Sequence, residues 1–122
     1  MSAQAMTGPT AGREGDVNVV RLVGRVSATP EEVVLPSGDV LCSFRVVVGR
    51  PEGHQSRQRV DALECTTWLP RVRRSAMGWQ PGDVVEVEGA IRRRFFRAGG
   101  SAASRVEVEV SSGRLVRRAG SA

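Results

Sequence analysis

The sequence contains one histidine, two cysteines and no lysine, and these shortages argue against several classes of function. His54 lies in a polar segment with no cysteine, carboxylate or second histidine at the spacing of a catalytic or metal site. Paired carboxylates occur only two residues apart in alternating segments, which is the pattern of a solvated strand surface. No glycine-rich phosphate cradle precedes a helix. We therefore expect that the protein is not an enzyme and that it holds no metal and no cofactor.

Long apolar runs are also missing. No segment approaches the ~20 apolar residues that a membrane-spanning helix needs, and the N-terminus lacks the basic and apolar regions of a signal peptide. Cys42 and Cys65 both lie in apolar runs typical of strands, so we expect buried free thiols. These features predict a cytoplasmic protein in a reducing environment with no membrane partner.

The charge that is present is unevenly distributed. All 18 basic residues are arginine, and 13 acidic residues leave a net charge of +5. Residues 91–122 contain eight arginines and two acids and so carry +6, which leaves the rest of the chain close to neutral. This asymmetry indicates a polyanionic partner. The alternative is that arginine is the general cation of this chain and that the basic face is only solvated.

Alternating segments rich in β-branched residues predict a protein built mainly of strands. Small polar residues without periodicity predict a disordered segment at residues 1–15, followed by one domain at 16–118 and a frayed tail at 119–122. The predicted strands cover residues 17–26, 31–35, 40–48, 59–68, 84–96 and 104–111, with a last extended piece at 114–118.

One short helix interrupts the predicted strands. Pro70 suits a first helical turn, and Leu69, Val72 and Ala76 fall on one side of residues 69–77. The order of strand, hairpin, strand, helix and long hairpin predicts an all-β fold. The same order of elements is found in a five-stranded Greek-key OB-fold barrel with one short helix between strands three and four. An SH3-like barrel, which is the competing fold, would not place a helix there.

Residues 84–96 are the most informative segment. Their first half alternates, with the apolar residues up to Ile91 on one face, and Gly89 predicts a bulge or bend. Three arginines and two phenylalanines follow, so a core strand continues into a surface suited to phosphates and unstacked bases. Because neighbouring residues alternate, we expect Phe95 to pack inward and Phe96 to face outward.

Other strands add packing predictions. Phe44 and Trp79 are predicted core residues. The first strand is apolar on both faces, which is typical of a strand covered twice. We therefore predict an oligomer interface on one of its faces, at Val17, Val19, Arg21 and Val23. The last hairpin strand alternates, which predicts Val106, Val108 and Val110 inward and Arg105, Glu107 and Glu109 outward.

Four segments carry short motifs in a fixed order: V-N-V-V-R-L-V-G at residues 17–24, L-P-S-G at 35–38, P-G-D-V-V-E-V-E-G at 81–89 and R-R-R-F-F at 92–96. They resemble the bacterial single-stranded DNA-binding protein (SSB) family, whose corresponding motifs are V-N-x-V-x-L-x-G, a P-N-G turn, K-G-x-x-V-x-V-x-G and R-x-R-x-W. The resemblance covers residues 17 to about 116. It implies an OB-fold, a cytoplasmic dimer or tetramer, and single-stranded DNA bound without sequence preference.

The resemblance also nominates site residues. Phe96 matches a stacking tryptophan of the family and Trp68 a stacking phenylalanine, and both keep the flat ring that a base requires. Arg92 and Arg94 match basic positions of the family. Further phosphate contacts are predicted from the charge of the chain at Arg50, Arg57, Arg59 and Arg97.

The chain also departs from the family pattern. Asp61 and Ala62 stand where the family has E-W, so one stacking ring is missing. The chain stops at residues 120–122 without the long Gly/Gln/Pro-rich tail or the acidic tip that would recruit repair or replication proteins. We therefore expect no partner to be recruited through an acidic tip.

Together these features predict sequence-nonspecific binding and protection of single-stranded DNA in replication, recombination or repair, at the nucleoid of a bacterial cytoplasm. The alternative is an SSB-like paralogue that acts as a protein-interaction or assembly module with reduced DNA affinity. The missing aromatic residues and tail favour the alternative, whereas the cluster of Arg92, Arg94 and Phe96 favours DNA binding.

Overall fold

The computed structural model describes residues 13–53 and 57–120. Most of the predicted disordered segment, the loop position His54 and the last two residues of the predicted tail lie outside the described residues, so the extent of disorder stays a prediction. Ala119, the first residue of that tail, donates its N–H to the carboxylate of Asp83 over 2.8 Å. The hydrogen-bonded domain therefore extends at least to Ala119.

Strands dominate the described residues, as the sequence predicts. The elements are β1 (Val20–Val26), β2 (Glu31–Val34), β3 (Val40–Gly49), β4 (Val60–Thr67), α1 (Pro70–Ala76), β5 (Val84–Ala98) and β6 (Ser101–Arg117). The sheet order is β1-β5-β6-β4-β3, and pairing of β1 with β3 closes it into a five-stranded barrel. Strand β2 forms a hairpin with β3 at the edge. The helix lies between the third and fourth barrel strands, which confirms the predicted OB-fold.

The core lies inside the barrel and consists mainly of valines. Alternation along each strand turns one β-branched side chain in two toward the interior, where these side chains pack well. Phe44 and Trp79 are both buried, with ring centroids 5.3 Å apart in an edge-to-face arrangement, so both core predictions are confirmed. Val72 and Ala76 of α1 join this core, whereas Leu69 precedes the helix and is exposed.

Two glycines allow strands to approach closely. A Cβ added at Gly24, where β1 passes from β5 to β3, would lie 2.3 Å from the carbonyl oxygen of Val47. A Cβ added at Gly89 would lie 2.0 Å from the carbonyl oxygen of Glu109. The register with β6 also shifts between Glu88 and Gly89, which confirms the irregularity predicted there. Side chains are excluded at both glycines by the neighbouring backbone.

Strand β6 corrects the predicted boundaries. It is one strand of 17 residues, so the prediction of separate pieces at 104–111 and 114–118 is wrong. Two register shifts leave Ser111 and Val116 without a direct partner on β5. Such irregularities bend a strand without ending it, so β6 follows the barrel wall continuously. Strand β1 begins at Val20, three residues later than predicted.

The end of the hairpin corrects the packing predictions. Phe95 is 77% exposed and Val106 is 49% exposed, so the predictions that they pack inward are wrong. Both lie on the side of the hairpin that carries the core residue Val108. The core ends before it reaches Phe95 and Val106, so these two side chains are exposed. Glu107 is the converse case, because it lies on the outward side as predicted and yet is buried.

Hydrogen-bonded carboxylates fix the root of this hairpin, which is the part where β5 begins and β6 ends. The carboxylate of Asp83 accepts hydrogen bonds from the backbone N–H groups of Ala119 and Gln80 and from the guanidinium of Arg118, which lower the pKa of Asp83. A similar effect lowers the pKa of Glu86, which accepts side-chain hydrogen bonds from Arg21 and then Arg114. Ionised carboxylates are therefore part of the native structure at this root.

The two cysteines are free and fully buried, which confirms their prediction as buried free thiols. Burial, with a smaller effect of Glu32, raises the pKa of the Cys42 thiol to about 11. Burial, together with nearby carboxylates, raises the pKa of Cys65 to about 12. Because the thiolate is the reactive form, neither cysteine is a reactive site in the native protein.

Candidate nucleic-acid interface

The β5–β6 hairpin has two faces that its register defines. Directly opposite residues of antiparallel strands point to the same side, and Arg94 lies opposite Arg105 whereas Phe95 lies opposite Ser104. The side away from the core residue Val108 is here called the outer face, and the other side the underside. The outer face carries Arg92, Arg94, Phe96, Arg105, Glu107 and Glu109; the underside carries Ile91, Arg93, Phe95, Arg97, Ser104 and Val106.

On the outer face, each of two aromatic rings lies beside a guanidinium group. The Arg94 guanidinium carbon lies 5.7 Å from the ring centroid of Trp68, which follows the end of β4. The Arg105 guanidinium carbon lies 5.6 Å from the ring centroid of Phe96. Both distances are in the range of cation–π contacts. Since Arg94 and Arg105 are cross-strand neighbours, these four side chains form a row, called here the outer row, of flat groups that can stack on bases.

A buried carboxylate holds the two arginines of the outer row. The side chain of Glu107 is 1% exposed, and its Oε2 accepts hydrogen bonds from Thr66 Oγ1 over 2.8 Å and from Arg94 Nε over 2.6 Å. Its Oε1 lies 3.5 Å from Arg105 Nε. A buried charge is tolerated only when it is paired and hydrogen-bonded. Glu107 therefore both balances and positions the guanidinium groups beside the rings.

Several arginines predicted to bind phosphate already have a carboxylate partner. Arg92 donates from Nε to Glu109 over 2.8 Å, and Arg50 donates from Nη2 to Asp61 over 2.7 Å. Arg94 is paired with Glu107, as described above. These carboxylates reduce the net charge that the arginines offer to a polyanion.

The predicted site residues fall into three places. The structure brings Trp68, Arg92, Arg94 and Phe96 together on or beside the outer face, while Arg97 lies on the underside, where its Nη1 contacts the carbonyl oxygen of Gly100 at 3.4 Å. Arg50, Arg57 and Arg59 form a separate group in the loop between β3 and β4.

This loop group lines a cleft of about 520 Å³ at the start of β4, whereas Trp68 follows the end of that strand. The eight residues of β4 separate the two by roughly 26 Å of strand. Within residues 13–53 and 57–120, Arg57 and Arg59 have no carboxylate partner. Because β6 runs parallel to β4, its first residues at the hairpin tip point toward the end of the barrel where this loop lies.

Arg105 and Glu107 are the site residues that the sequence-based nominations miss. Their alternation with valines does indicate that both point outward, as they do. What the sequence lacks is the register, which places Arg105 opposite Arg94 and brings Glu107 within reach of Thr66 on a different strand. A carboxylate in an alternating strand is normally solvated, so no local signal marks Glu107 as buried.

The outward face of β1 and the residues before it are apolar and uncovered. Val17, Val19 and Val23 are all exposed, and Arg21 between them pairs with Glu86 across the strands. The predicted oligomer interface is therefore accessible in the single chain, but its use stays a prediction. Among the described residues no cluster of histidine, cysteine and carboxylate side chains could hold a metal ion, and no helix is long and apolar enough to cross a membrane.

Comparison with known proteins places this barrel in a family. Residues 17–116 match the model of the single-strand binding protein family. The chain is 32% identical over 81 residues to a single-stranded DNA-binding protein of Oceanobacillus iheyensis, covering 66% of this chain and 50% of the relative. It is 31% identical over 81 residues to single-stranded DNA-binding protein A of Bacillus subtilis, covering 66% of this chain and 47% of the relative. The chain thus spans about half the length of these curated relatives.

A solved structure supports the fold. The Plasmodium falciparum SSB in complex with ssDNA superposes with a TM-score of 0.67 at 18% identity, and the match covers 87% of this chain and 98% of that one. At this identity the likeness concerns the fold alone. The match of the family model across most of the sequence shows that the chain belongs to the single-strand binding protein family.

Proposed function

We propose that this chain binds single-stranded DNA without sequence preference and protects it, as a binding protein rather than an enzyme. The observation that carries the proposal is the outer row, in which Trp68 and Phe96 each lie beside a guanidinium group. Stacking on flat groups tolerates any sequence, because every base has a π-face. Replication, recombination or repair at the nucleoid of the bacterial cytoplasm is the setting that such binding would serve.

Phosphate contacts in this proposal come mainly from the loop between β3 and β4. Arg57 and Arg59 lack a carboxylate partner within the described residues, so their charge is available to a DNA backbone. Arg50 lines the same cleft but is held by Asp61. A strand that stacks on the outer row and continues toward the hairpin tip would approach this loop, since both lie at the same end of the barrel.

Fluorescence titration with oligo-dT tests the proposal directly. The chain has two tryptophans, and Trp79 is buried against Phe44, so quenching by a bound base reports on Trp68. We expect saturable quenching by oligo-dT and much weaker binding to duplex DNA, whose bases are not free to stack.

Substitutions at the two rings test the contribution of stacking to affinity separately from the fluorescence of Trp68. Trp68→Ala and Phe96→Ala should each weaken binding by ~1–3 kcal/mol, the usual value of a base–aromatic stack. Trp68→Phe should keep most of the affinity, measured by anisotropy of a labelled oligonucleotide, while it loses the quenching. Val34→Ala, which trims an exposed apolar side chain on β2, is the matched control and should bind normally. Full affinity in both alanine variants would contradict the assignment.

The protein-interaction alternative predicts a different result. It is favoured by the carboxylates that pair with Arg92 and Arg94 and by the exposed valines of β1. A module of that kind would bind DNA weakly, would leave Trp68 unquenched, and would not distinguish single strands from duplexes.

We also propose that the chain forms a dimer or tetramer through Val17, Val19, Arg21 and Val23. Pairing of two such faces would remove exposed apolar surface from water. Sedimentation at micromolar concentration should show a species heavier than the 13.1 kDa chain. Val19→Asp together with Val23→Asp should shift the distribution toward monomer, and a wild-type protein that is only monomeric would contradict the interface.

A further inference from the structure

We propose that the underside of the hairpin is a second contact surface for single-stranded nucleic acid, with Phe95 as its stacking ring and Arg93 and Arg97 as its phosphate contacts. This inference rests on the proposed function, because the strand bound on the outer row would continue around the hairpin. It adds Arg93 and Phe95 as contact residues beside Arg97, which the charge of the sequence already nominates, and the family motifs assign none of the three.

Exposure is the first observation that supports this surface. Phe95 is 77% exposed, compared with 43% for Phe96 of the outer row. Ile91 and Val106 on the same side are about half exposed, because the underside at this point has no core beneath it. A large ring in this position is available to stack, whereas exposed apolar side chains of this kind are otherwise a liability in a soluble protein.

Charge is the second observation. Among the described residues the underside carries two arginines and no acid. Arg93 donates from Nη1 to Ser104 Oγ over 3.1 Å, and Arg97 donates to the carbonyl oxygen of Gly100. Both partners are neutral, so both positive charges remain unbalanced. The outer face differs, because Arg92 and Arg94 are each paired with a carboxylate.

The order of these side chains favours nucleic acid over a second copy of this chain. Arg93, Phe95 and Arg97 alternate along one side of β5 and so offer one stacking ring between two cations. A base flanked by phosphates matches that order. Self-association through the underside would instead bring Arg93 and Arg97 of one copy against the same cations of the other, which is electrostatically unfavourable.

The test places a spectroscopic reporter on each face in turn. In the Trp68→Phe background the remaining native indole, Trp79, is buried, so an indole introduced by Phe95→Trp reports on the underside. The same background with Phe96→Trp reports on the outer face. Each 122-residue protein is titrated with oligo-dT of about 30 nucleotides, which exceeds the ~4–16 nucleotides that one OB-fold covers. Sedimentation without DNA accompanies each titration.

We expect saturable quenching in both reporter proteins, and a loss of about 5- to 150-fold in affinity for Phe95→Ala in the wild-type background. Quenching with Phe96→Trp but not with Phe95→Trp overturns the underside site and leaves the proposed function intact. If neither reporter protein shows quenching and the wild-type protein does not bind oligo-dT, the proposed function is overturned as well. A changed oligomeric state of Phe95→Ala with unchanged DNA affinity assigns the underside to a second copy and also overturns the inference.

Discussion

The two faces of the β5–β6 hairpin use the same residue types in opposite electrostatic settings. On the outer face, Glu107 and Glu109 accept hydrogen bonds from Arg94 and Arg92, so the guanidinium groups are held in place and largely balanced. On the underside, Arg93 and Arg97 donate to neutral partners. Among the described residues the ring–cation contacts involve Trp68 and Phe96, and not Phe95. The guanidinium groups of the outer face are therefore preorganised, whereas those of the underside keep their full positive charge.

This difference separates two tasks that arginine performs in nucleic-acid binding. A guanidinium fixed by a carboxylate is a flat group for stacking, and its position costs little further ordering when a base arrives. A guanidinium without a carboxylate releases counterions when it meets a phosphate and therefore makes binding depend on salt. The outer face should then supply affinity that changes little with salt, and the underside and the loop arginines should supply the salt-dependent part.

The largest expected effect comes from the point where the hairpin joins the barrel. Gly89→Ala would place a Cβ about 2.0 Å from the Glu109 carbonyl oxygen, so β5 and β6 must separate there. We expect a loss of about 3 kcal/mol in the free energy of unfolding, measured by urea denaturation. Both faces should weaken together, because both depend on the register that Gly89 allows.

Gly49→Ala is the matched control for this glycine substitution. Gly49 lies in β3, it has no positive φ, and a Cβ there would meet nothing within 4 Å. Its stability should stay within about 1 kcal/mol of wild type. Equal stability of Gly89→Ala and Gly49→Ala would show that the close approach does not constrain the hairpin.

A smaller effect is expected from the carboxylate beneath the outer row. Glu107→Ala leaves Thr66 and Arg94 without their buried acceptor, and we expect a loss of about 2 kcal/mol in the free energy of unfolding. Glu109→Ala is the control, because its pair with Arg92 is partly exposed and should contribute less than about 1 kcal/mol. If the two variants unfold at the same urea concentration, Glu107 does not organise the outer face.

Acid should weaken the root of the hairpin, because the carboxylates of Asp83 and Glu86 are ionised there in the folded state. The folded-state pKa values of Asp83 and Glu86 lie below their ordinary values of 3.8 and 4.5. Their stabilising contribution is therefore present above those ordinary values and is lost as pH falls through the lower folded-state values. Thermal unfolding followed by circular dichroism should show a midpoint that drops below about pH 4. Asp83→Asn should be less stable at neutral pH and less sensitive to acid.

The fold could be predicted from the sequence because its signals are local. Alternating valines, the turn residues and the position of Pro70 suffice for the barrel strands and the helix between them. The predicted boundaries of β6 were wrong because bulges let one strand bend and continue where its alternating pattern is interrupted. The prediction that Phe95 is buried was wrong for a different reason. Alternation indicates the side of the strand on which a residue lies, but it does not indicate where the core on that side ends.

The candidate site was predictable in composition but not in arrangement. Trp68, Arg94 and Phe96 could be nominated because they match stacking and basic positions of the family that the sequence resembles, and because flat rings and cations suit nucleic acid. Which arginines are paired depends on contacts between strands distant in sequence, as Thr66 and Glu107 illustrate. From sequence alone, Arg92 and Arg93 are neighbours of equal charge, whereas the structure places them on opposite faces with different partners.

The smallest expected effect separates these two neighbours by salt. In single-strand binding, each phosphate contact contributes about −0.7 to the slope of log affinity against log salt. Arg93→Ala should flatten the slope by about 0.7, because this arginine has no carboxylate partner within the described residues. Joint replacement of Arg92 and Glu109 by alanine removes a balanced pair and should leave the slope unchanged. Titration of oligo-dT at several salt concentrations measures both slopes.

Net charge needs its own control, because Arg93→Ala lowers it and the double variant does not. Arg71→Ala removes one exposed charge from helix α1, which is not part of the hairpin, and should keep the wild-type slope. If Arg71→Ala and Arg93→Ala flatten the slope equally, the effect belongs to the overall charge. If the removal of Arg92 with Glu109 flattens it as much as Arg93→Ala does, phosphate displaces the carboxylate on binding, and the two faces are electrostatically equivalent in the complex.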